Sequence, residues 1–260
     1  MGISKTIVRE NMKNITILLC FIIFFHSCAV NRGKPVTHWK GYNSYTHKRN
    51  YSSILNKINS MKSTHMTMTT IGTVEYGNTS YPIIDIYYTN SDNESHIALI
   101  TGGVHGNEIA GVQAILEYLD YLHTSNSKLQ YKVHFIPVVN PWGWSHNIRY
   151  NGDGYDVNRD FNSFVTREAR IIKEYFHNQD LDVIVDLHET VSHGNFIYIY
   201  STTHLDTARE VIKYLSGENL KIDNSYKDHV FKVNNGVLKF PSILIYYQNC
   251  FSQSPLAHYF

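Results

Sequence analysis

The fold is decided by the segment Thr101-Gly102-Gly103-Val104-His105-Gly106-Asn107-Glu108, which directly follows the apolar run His96-Ile97-Ala98-Leu99-Ile100. The apolar run predicts a buried strand, and the three glycines allow the chain to turn tightly behind it. His105 and Glu108 are three residues apart, so a nitrogen and an oxygen ligand fall within one turn of each other. This pattern predicts half of a metal site at the end of a strand.

A second apolar run ends in a histidine, in Asp182-Val183-Ile184-Val185-Asp186-Leu187-His188-Glu189. Open α/β sheets place their sites at the carboxyl edge, so both strands are expected to deliver ligands there. His105, Glu108 and His188 would leave a fourth position for water, as in a catalytic zinc site. The alternative is that, with 15 histidines in the chain, these are ordinary surface or hydrogen-bonded core residues.

The stretch between these two segments, from Val139 to Phe161, is polar and punctuated by glycines, which predicts a long loop. Long loops without periodicity tend to be functional. Arg149 and Arg159 lie in it, and their planar guanidinium groups suit carboxylates and developing oxyanions. The loop therefore indicates an anionic feature of a substrate, and the alternative is that both arginines are solvated on the surface.

Four motifs follow one another along the chain: Gly103-Val104-His105-Gly106-Asn107-Glu108, Asn140-Pro141-x-Gly143, Arg149 with Asp156-Val157-Asn158-Arg159-Asp160-Phe161, and Asp186-Leu187-His188. In order and spacing they resemble the zinc carboxypeptidases of the carboxypeptidase A and B type. The first motif is also similar to the succinylglutamate desuccinylase and aspartoacylase group. The segment from Arg149 to Phe161 favours the peptidases.

The resemblance implies a zinc ion held by His105, Glu108 and His188. It also implies that Asp156 accepts the other ring N–H of His105, which would fix the tautomer and make the ligand more basic. Zn²⁺ would polarise the scissile carbonyl and lower the pKa of its water to about 7. Hydrolysis by metal-activated water is the expected reaction.

Substrate contacts are implied by the same resemblance. Arg149 matches the arginine that steadies the oxyanion, and Asn158 with Arg159 matches the pair that grips the C-terminal carboxylate of a peptide. The expected partner is therefore a peptide or a small N-acyl amino acid with a free carboxylate.

One part of the resemblance is missing, the glutamate that serves as general base on a late strand. No glutamate follows Glu218, and the expected final strand, residues 242–247, contains no acid. Three explanations stay open: the domain is incomplete at its carboxyl end, Glu189 substitutes, or the domain binds zinc and ligand without efficient turnover. Alternation along a strand would turn Glu189 away from the metal unless the strand ends before it.

The amino-terminal residues predict export to the periplasm or cell envelope. Basic residues precede an apolar run of about 11 residues, Ile15 to Phe25, which is too short to span a bilayer and is typical of a signal peptide over residues 1–28. Phe25-His26-Ser27-Cys28 is similar to a bacterial lipoprotein signal, although Phe25 and His26 are atypical. An acyl group on Cys28 would be the membrane link, and a plain cleaved signal peptide is the alternative.

Residues 29–50 predict a polar tether, and residues 51–260 predict a single α/β domain, for which the resemblance implies the zinc carboxypeptidase-like fold. Alternating strands and helices indicate a mixed, mostly parallel sheet flanked by helices on both faces. Asn107–His123 is the clearest helix, and its amino end would carry Glu108. Met68–Glu75 and Tyr81–Tyr88 are expected to form a hairpin.

Charge and cysteine content exclude other classes of protein. The chain has 23 basic and 22 acidic residues, so nothing favours nucleic acid, and it has no CxxC pair for a zinc finger. We expect a monomer.

Three functions remain: a zinc exopeptidase acting on C-terminal residues or short murein peptides, an N-acyl amino acid deacylase, and a non-catalytic lipoprotein that binds zinc and ligand.

Overall fold

A computed structural model describes residues 49–61, 63–90, 96–125, 127–129, 131–161, 163–190, 193–199, 205–228 and 231–239. The predicted signal peptide, most of the predicted tether and the expected final strand lie outside these residues. None of the helices among them combines the length and the apolar character that crossing a bilayer requires.

Helices and strands alternate along the described chain. In order they are α1 (Tyr51–Ser60), β1 (Met66–Tyr76), β2 (Thr79–Tyr88), β3 (Ile97–Gly102), α2 (Ala110–Ser125), β4 (Lys132–Ile136), α3 (Pro141–His146), a 3₁₀ turn (Val157–Arg159), α4 (Arg167–Phe176), β5 (Val183–Leu187), β6 (Ile197–Ile199), α5 (Leu205–Gly217), β7 (Lys227–Asp228), β8 (Phe231–Lys232) and β9 (Val237–Lys239).

Five of the strands form one mixed sheet in the order β1, β2, β4, β3, β5. The predicted hairpin accounts for its antiparallel edge, where β1 pairs with β2 and β2 with β4. The pairs β3 with β4 and β3 with β5 are parallel. The mixed α/β class is thus confirmed, and the parallel half of the sheet places the carboxyl ends of β3 and β5 side by side.

Helices cover both faces of this sheet, as predicted. On β4, the Phe135 ring lies 5.9 Å from that of Tyr118 in α2, whereas the neighbouring His134 ring lies 5.1 Å from that of Phe176 in α4. Because successive side chains of a strand point to opposite faces, α2 and α4 lie on opposite sides. The carboxyl ends of β3 and β5 therefore lie between the helices on the two faces of the sheet.

Helix α2 begins three residues later than the sequence pattern predicts, so Glu108 lies in the turn before the helix and not on its amino end. The cause is a cap supplied from the other ligand strand. Glu189 Oε2 accepts the backbone N–H groups of Ile109 and Ala110 at 2.7 and 2.9 Å. These are among the first donors of the helix, which have no partner within it.

The stretch from Val139 to Phe161 is not a single long loop, because it contains α3 and the 3₁₀ turn. Asn140 Oδ1 accepts the Gly143 N–H at 2.9 Å and caps α3, and Asp156 Oδ1 accepts the Asn158 N–H at 3.1 Å and caps the 3₁₀ turn. Each element is at most six residues long, which is too short for a helical period to show in the sequence.

Gly111 allows α2 to approach the strand that ends at the site. A Cβ atom at this position would lie 2.6 Å from the carbonyl oxygen of Leu187, the residue before His188. Gly111→Ala should therefore lower the free energy of unfolding by about 1–3 kcal/mol, the usual cost of overpacking. Urea denaturation measures this, with Gly217→Ala as the control, because nothing lies within 4 Å of a Cβ there. Unchanged stability of the Gly111 variant would contradict the close packing.

Candidate metal centre

The two histidines come from adjoining strand ends. β5 ends at Leu187 and His188 follows at once, while β3 ends at Gly102 and His105 follows after a turn through Gly103, whose φ is +60°. Gly102 and Leu187 are register partners across the parallel pair. As a result, the rings of His105 and His188 lie 4.6 Å apart, between centroids.

Glu108 lies between the two rings. Its Oε1 is 2.6 Å from His105 Nδ1 and its Oε2 is 2.7 Å from His188 Nδ1. All three side chains are buried, and one potential ligand atom from each lies within 4.8 Å of the others. Two imidazole nitrogens and a carboxylate fit the donor set of a divalent metal such as zinc. The structure therefore brings together the three residues that the sequence selected.

Each ring is held from behind by a second carboxylate. His105 Nε2 is 3.2 Å from Asp156 Oδ1, where the resemblance placed it, and His188 Nε2 is 2.8 Å from Asp186 Oδ2. These contacts leave Nδ1 of both rings for a metal ion. Sequence analysis assigned no role to Asp186, although it lies two residues before His188, the spacing that puts side chains of a strand on one face.

The charges at the centre are strongly coupled. Burial alone would raise the pKa of Glu108, but His188 and His105 outweigh it and hold that pKa well below its usual range. Burial would lower the pKa of His188, and the carboxylates of Asp186 and Glu108 outweigh it and raise that pKa. Glu108 is therefore anionic at neutral pH, the form that binds a cation.

The guanidinium group of Arg149 lies against this cluster. Its Nε and Nη2 are 2.9 and 2.8 Å from Asp156 Oδ2, while Nη1 is 3.3 Å from His105 Nδ1 and 3.9 Å from Glu108 Oε1. About a third of the side chain is exposed. A fixed positive charge thus lies beside two of the three potential ligands, His105 and Glu108, and remains accessible.

Asn158 and Arg159 follow on the 3₁₀ turn. The side-chain oxygen and nitrogen of Asn158 are buried and have no hydrogen-bond partner in the described structure. Such groups are rare because they cost about 1–3 kcal/mol each. Burial would raise the pKa of Asp156, but His105, Arg149 and Arg159 together lower it, which places the Arg159 charge in the same electrostatic environment.

A buried carboxylate on α4 anchors the segment that carries these residues. Glu168 is fully buried; its Oε1 accepts the Tyr76 hydroxyl at 2.7 Å and its Oε2 accepts the Asn151 side-chain N–H at 3.0 Å. Asn151 Oδ1 in turn accepts the Tyr155 N–H at 2.9 Å. Sequence analysis did not identify this anchor, because its members lie on β1, on α4 and in the intervening segment.

Glu189 does not face the potential ligand atoms in this arrangement. Its carboxylate caps α2, and its own N–H donates to Glu108 Oε2 at 3.0 Å. Glu189 thus fixes the carboxylate of Glu108 through its backbone and the start of α2 through its side chain.

The sequence of this chain is similar to a known catalytic domain. The sequence profile of the succinylglutamate desuccinylase/aspartoacylase catalytic domain matches residues 95–227, just over half of the 260 residues. The chain therefore belongs to this family of hydrolases. The match covers β3, α2 and β5, and with them every residue assigned to the centre.

Carboxypeptidase 2 of Trichophyton rubrum is 31% identical over 137 residues, 49% of this chain and 24% of that protein. The Prochlorococcus marinus protein named "Probable aspartoacylase" is 33% identical over 112 residues, 39% of this chain and 36% of that protein. The chain thus spans about a quarter to a third of the length of these relatives. The relation to both groups, which the motifs indicated, is confirmed.

Solved structures show the same fold. A protein of Shewanella denitrificans OS217, described as a candidate metallopeptidase, superposes with a TM-score of 0.58 at 22% identity, over 76% of either chain. The metallo-carboxypeptidase of Burkholderia cenocepacia gives 0.58 at 13% identity, over 75% of this chain and 61% of that one. The zinc carboxypeptidase-like architecture of the sheet is thereby confirmed.

Asp186→Asn should weaken metal binding at the centre about tenfold or more, because the carboxylate that orients His188 and makes it basic is lost. Zn²⁺ affinity, measured by competition with a chelator, checks this. Asp206→Asn is the control, since that carboxylate is exposed on α5, and His188→Ala gives the reference for a lost ligand. An Asp186→Asn variant that binds Zn²⁺ as tightly as the unchanged protein would show that Asp186 does not support metal binding.

Proposed function

We propose that this protein is a zinc-dependent carboxypeptidase-like hydrolase that cleaves the amide bond next to a free carboxylate. The observation that carries the proposal is the buried cluster of His105, Glu108 and His188 with the guanidinium group of Arg149 against it. The substrates are peptides that lose their C-terminal residue, or short murein peptides of the cell envelope.

The metal is proposed to be zinc, held by His105, Glu108 and His188. Two imidazoles and one carboxylate leave a coordination position open, as in hydrolytic zinc sites. When bound, Zn²⁺ supplies a Lewis acid for the scissile carbonyl and lowers the pKa of water. Asp156 and Asp186 orient the two rings, so the chain determines which nitrogen of each ring is available.

Arg149 is proposed to stabilise the negative charge that develops on the carbonyl oxygen. It fits this role because its guanidinium group is fixed by Asp156 and already lies within 4 Å of two potential ligand atoms. Donors that are oriented in advance are effective for such charge because no reorganisation is needed during the reaction.

Asn158 and Arg159 are proposed to hold the free carboxylate of the substrate. The buried amide of Asn158 has no partner among the described residues, and an N–H donor of this kind is what a carboxylate oxygen requires. Arg159 adds a charge on the same turn, and the pair would distinguish a carboxylate from an amide.

Glu189 is not proposed as the general base, because its carboxylate accepts two backbone N–H groups of α2. No glutamate follows Glu218 in the sequence. A domain that binds zinc and ligand without efficient turnover is therefore kept as an alternative. It predicts full zinc binding together with very slow hydrolysis, since loss of a general base costs about 10²–10⁴ in rate.

A deacylase of small N-acyl amino acids is the second candidate. The family match over residues 95–227 and the relative from Prochlorococcus marinus favour it. Its substrates share the amide bond next to a carboxylate, so the same residues would serve. Both reactions release an amino acid, and the two candidates differ in the other product, which is an acyl acid for the deacylase and a shortened peptide for the carboxypeptidase.

Export to the periplasm or cell envelope is part of the proposal, with an acyl group on Cys28 as the membrane link and the domain acting as a monomer. Its support is the basic and apolar pattern of residues 1–28. A murein peptide is the substrate that this location would favour.

An activity screen tests the function. Zinc-loaded protein is incubated with peptides bearing a free carboxyl terminus, murein tripeptides and N-acyl amino acids, and the released products are identified. We expect amino acid release from one of the first two groups, abolished by a chelator and restored by Zn²⁺. Cleavage of the N-acyl amino acids to an acyl acid and an amino acid, with no cleavage of the peptides, would favour the deacylase. Zinc binding without any release would favour the non-catalytic alternative.

Arg159→Ala should raise KM for substrates with a free carboxylate by about tenfold to a hundredfold, because a charge-assisted hydrogen bond contributes about 1.5–3 kcal/mol. For the corresponding amidated substrates KM should hardly change. Arg209→Ala, an exposed arginine of α5 paired with Asp206, is the control. Equal effects on free and amidated substrates would exclude carboxylate recognition by Arg159.

A further inference from the structure

Arg49, the first described residue, reaches the segment that carries two of the potential metal ligands. Its Nη1 donates to the carbonyl oxygen of Gly106 at 2.9 Å, and its Nη2 lies 3.4 Å from the carbonyl oxygen of Asn107. Gly106 and Asn107 are the two residues between His105 and Glu108. A side chain that is distant in sequence thus holds the backbone that sets the separation of the two ligands.

The same residue is fixed on its other side by α3. The guanidinium carbon lies 4.4 Å from the centroid of the Trp144 ring, and Nη2 donates to Oδ1 of Asn147. The backbone N–H of Arg49 donates to the carbonyl oxygen of Ser145 at 2.7 Å. Asn147 ends α3 in the left-handed conformation, with φ at 57°. Arg49 therefore links a rigid helix end to the ligand segment.

Backbone packing leaves little freedom between these two elements. A Cβ atom at Gly106 would lie 2.0 Å from the carbonyl carbon of Gly143 in α3, so the ligand segment rests directly on this helix. Beyond Glu108, Glu189 holds Ile109 and Ala110 by their N–H groups. The Arg49 side chain thus donates to the carbonyl groups of the two residues before Glu108, and the Glu189 carboxylate accepts the N–H groups of the two residues after it.

We propose that Arg49 is a positioning residue that holds the His105–Glu108 segment in the geometry that binds the metal. Its planar guanidinium group matches three acceptors at once, and the compact ammonium group of a lysine does not. Arg49 falls in the stretch that the sequence predicts to be a tether, so the last residues of this stretch contribute to the centre. The inference rests on the proposed function, because it takes the centre to bind a metal.

Metal binding by variants of the full chain tests the inference. Arg49→Met removes the guanidinium group and keeps an apolar side chain over Trp144, Arg49→Lys keeps the charge, and Arg209→Met on α5 is the matched control. Zn²⁺ affinity is measured by chelator competition. The absorption spectrum of the Co²⁺-loaded protein reports ligand geometry, and the Tm of the metal-free protein reports stability.

Arg49→Met is expected to weaken Zn²⁺ binding about tenfold to a hundredfold and to alter the Co²⁺ spectrum, as for other residues that orient ligands. The Zn²⁺ affinity of Arg49→Lys should lie between those of Arg49→Met and the unchanged protein, and the affinity of Arg209→Met should equal that of the unchanged protein. Asn147→Gly keeps the left-handed conformation and removes one acceptor, so it should weaken binding in the same direction if Arg49→Met fails to fold.

Three outcomes overturn the inference and are distinguishable. Unchanged affinity and an unchanged Co²⁺ spectrum in Arg49→Met and Asn147→Gly, with metal bound by the parent protein, would remove only the role of Arg49. Absence of metal binding in the parent protein would overturn the proposed function and this inference together. A lower Tm of metal-free Arg49→Met with unchanged affinity and spectrum would assign Arg49 to stability and likewise overturn the inference.

Discussion

The centre depends on the parallel pairing of β3 with β5. This pairing puts Gly102 and Leu187 opposite each other, and the chain leaves both strands at the same edge of the sheet. A shift of the register by one residue would turn every side chain of β5, Asp186 among them, to the other face of the sheet and away from Thr101 of β3. The hydrogen-bond ladder of two short strands therefore fixes the relative position of residues that are far apart in sequence.

The position of each ligand depends on a part of the chain that does not contain it, either directly or through a neighbouring residue. His105 is held by Asp156 from the segment after α3, and Glu108 by the backbone of Glu189 after β5. His188 is held by Asp186, which in turn accepts the Thr101 hydroxyl of β3 at 2.7 Å. Because each ligand is fixed by another element, the geometry of the centre is a property of the whole packed sheet edge.

The sequence predicted the ligands better than their supports. Strong apolar runs before Thr101 and before His188 indicated the two strands, and the histidines that follow them were visible as polar residues at strand ends. The hairpin and helix α2 were predicted from their sequence patterns. The predicted start of α2 was wrong because Glu189 caps the helix. This contact joins residues that are distant in sequence, so no local pattern encodes it. The anchor at Glu168 was missed for the same reason.

The balance of charge at the centre is the strongest physical reason to place a cation there. Three carboxylates, Glu108, Asp156 and Asp186, surround the two imidazoles, and among the described contacts Arg149 brings a fixed positive charge to Glu108 and Asp156. The group with neutral imidazoles is therefore anionic, which is costly in a buried site. The raised pKa of His188 expresses this imbalance, since Asp186 and Glu108 outweigh burial and favour a proton on the ring. A divalent cation held by His105, Glu108 and His188 would supply this positive charge. The carboxylates behind the rings would thus raise metal affinity in two ways, by orienting the rings and by leaving a deficit of positive charge that a metal ion would neutralise.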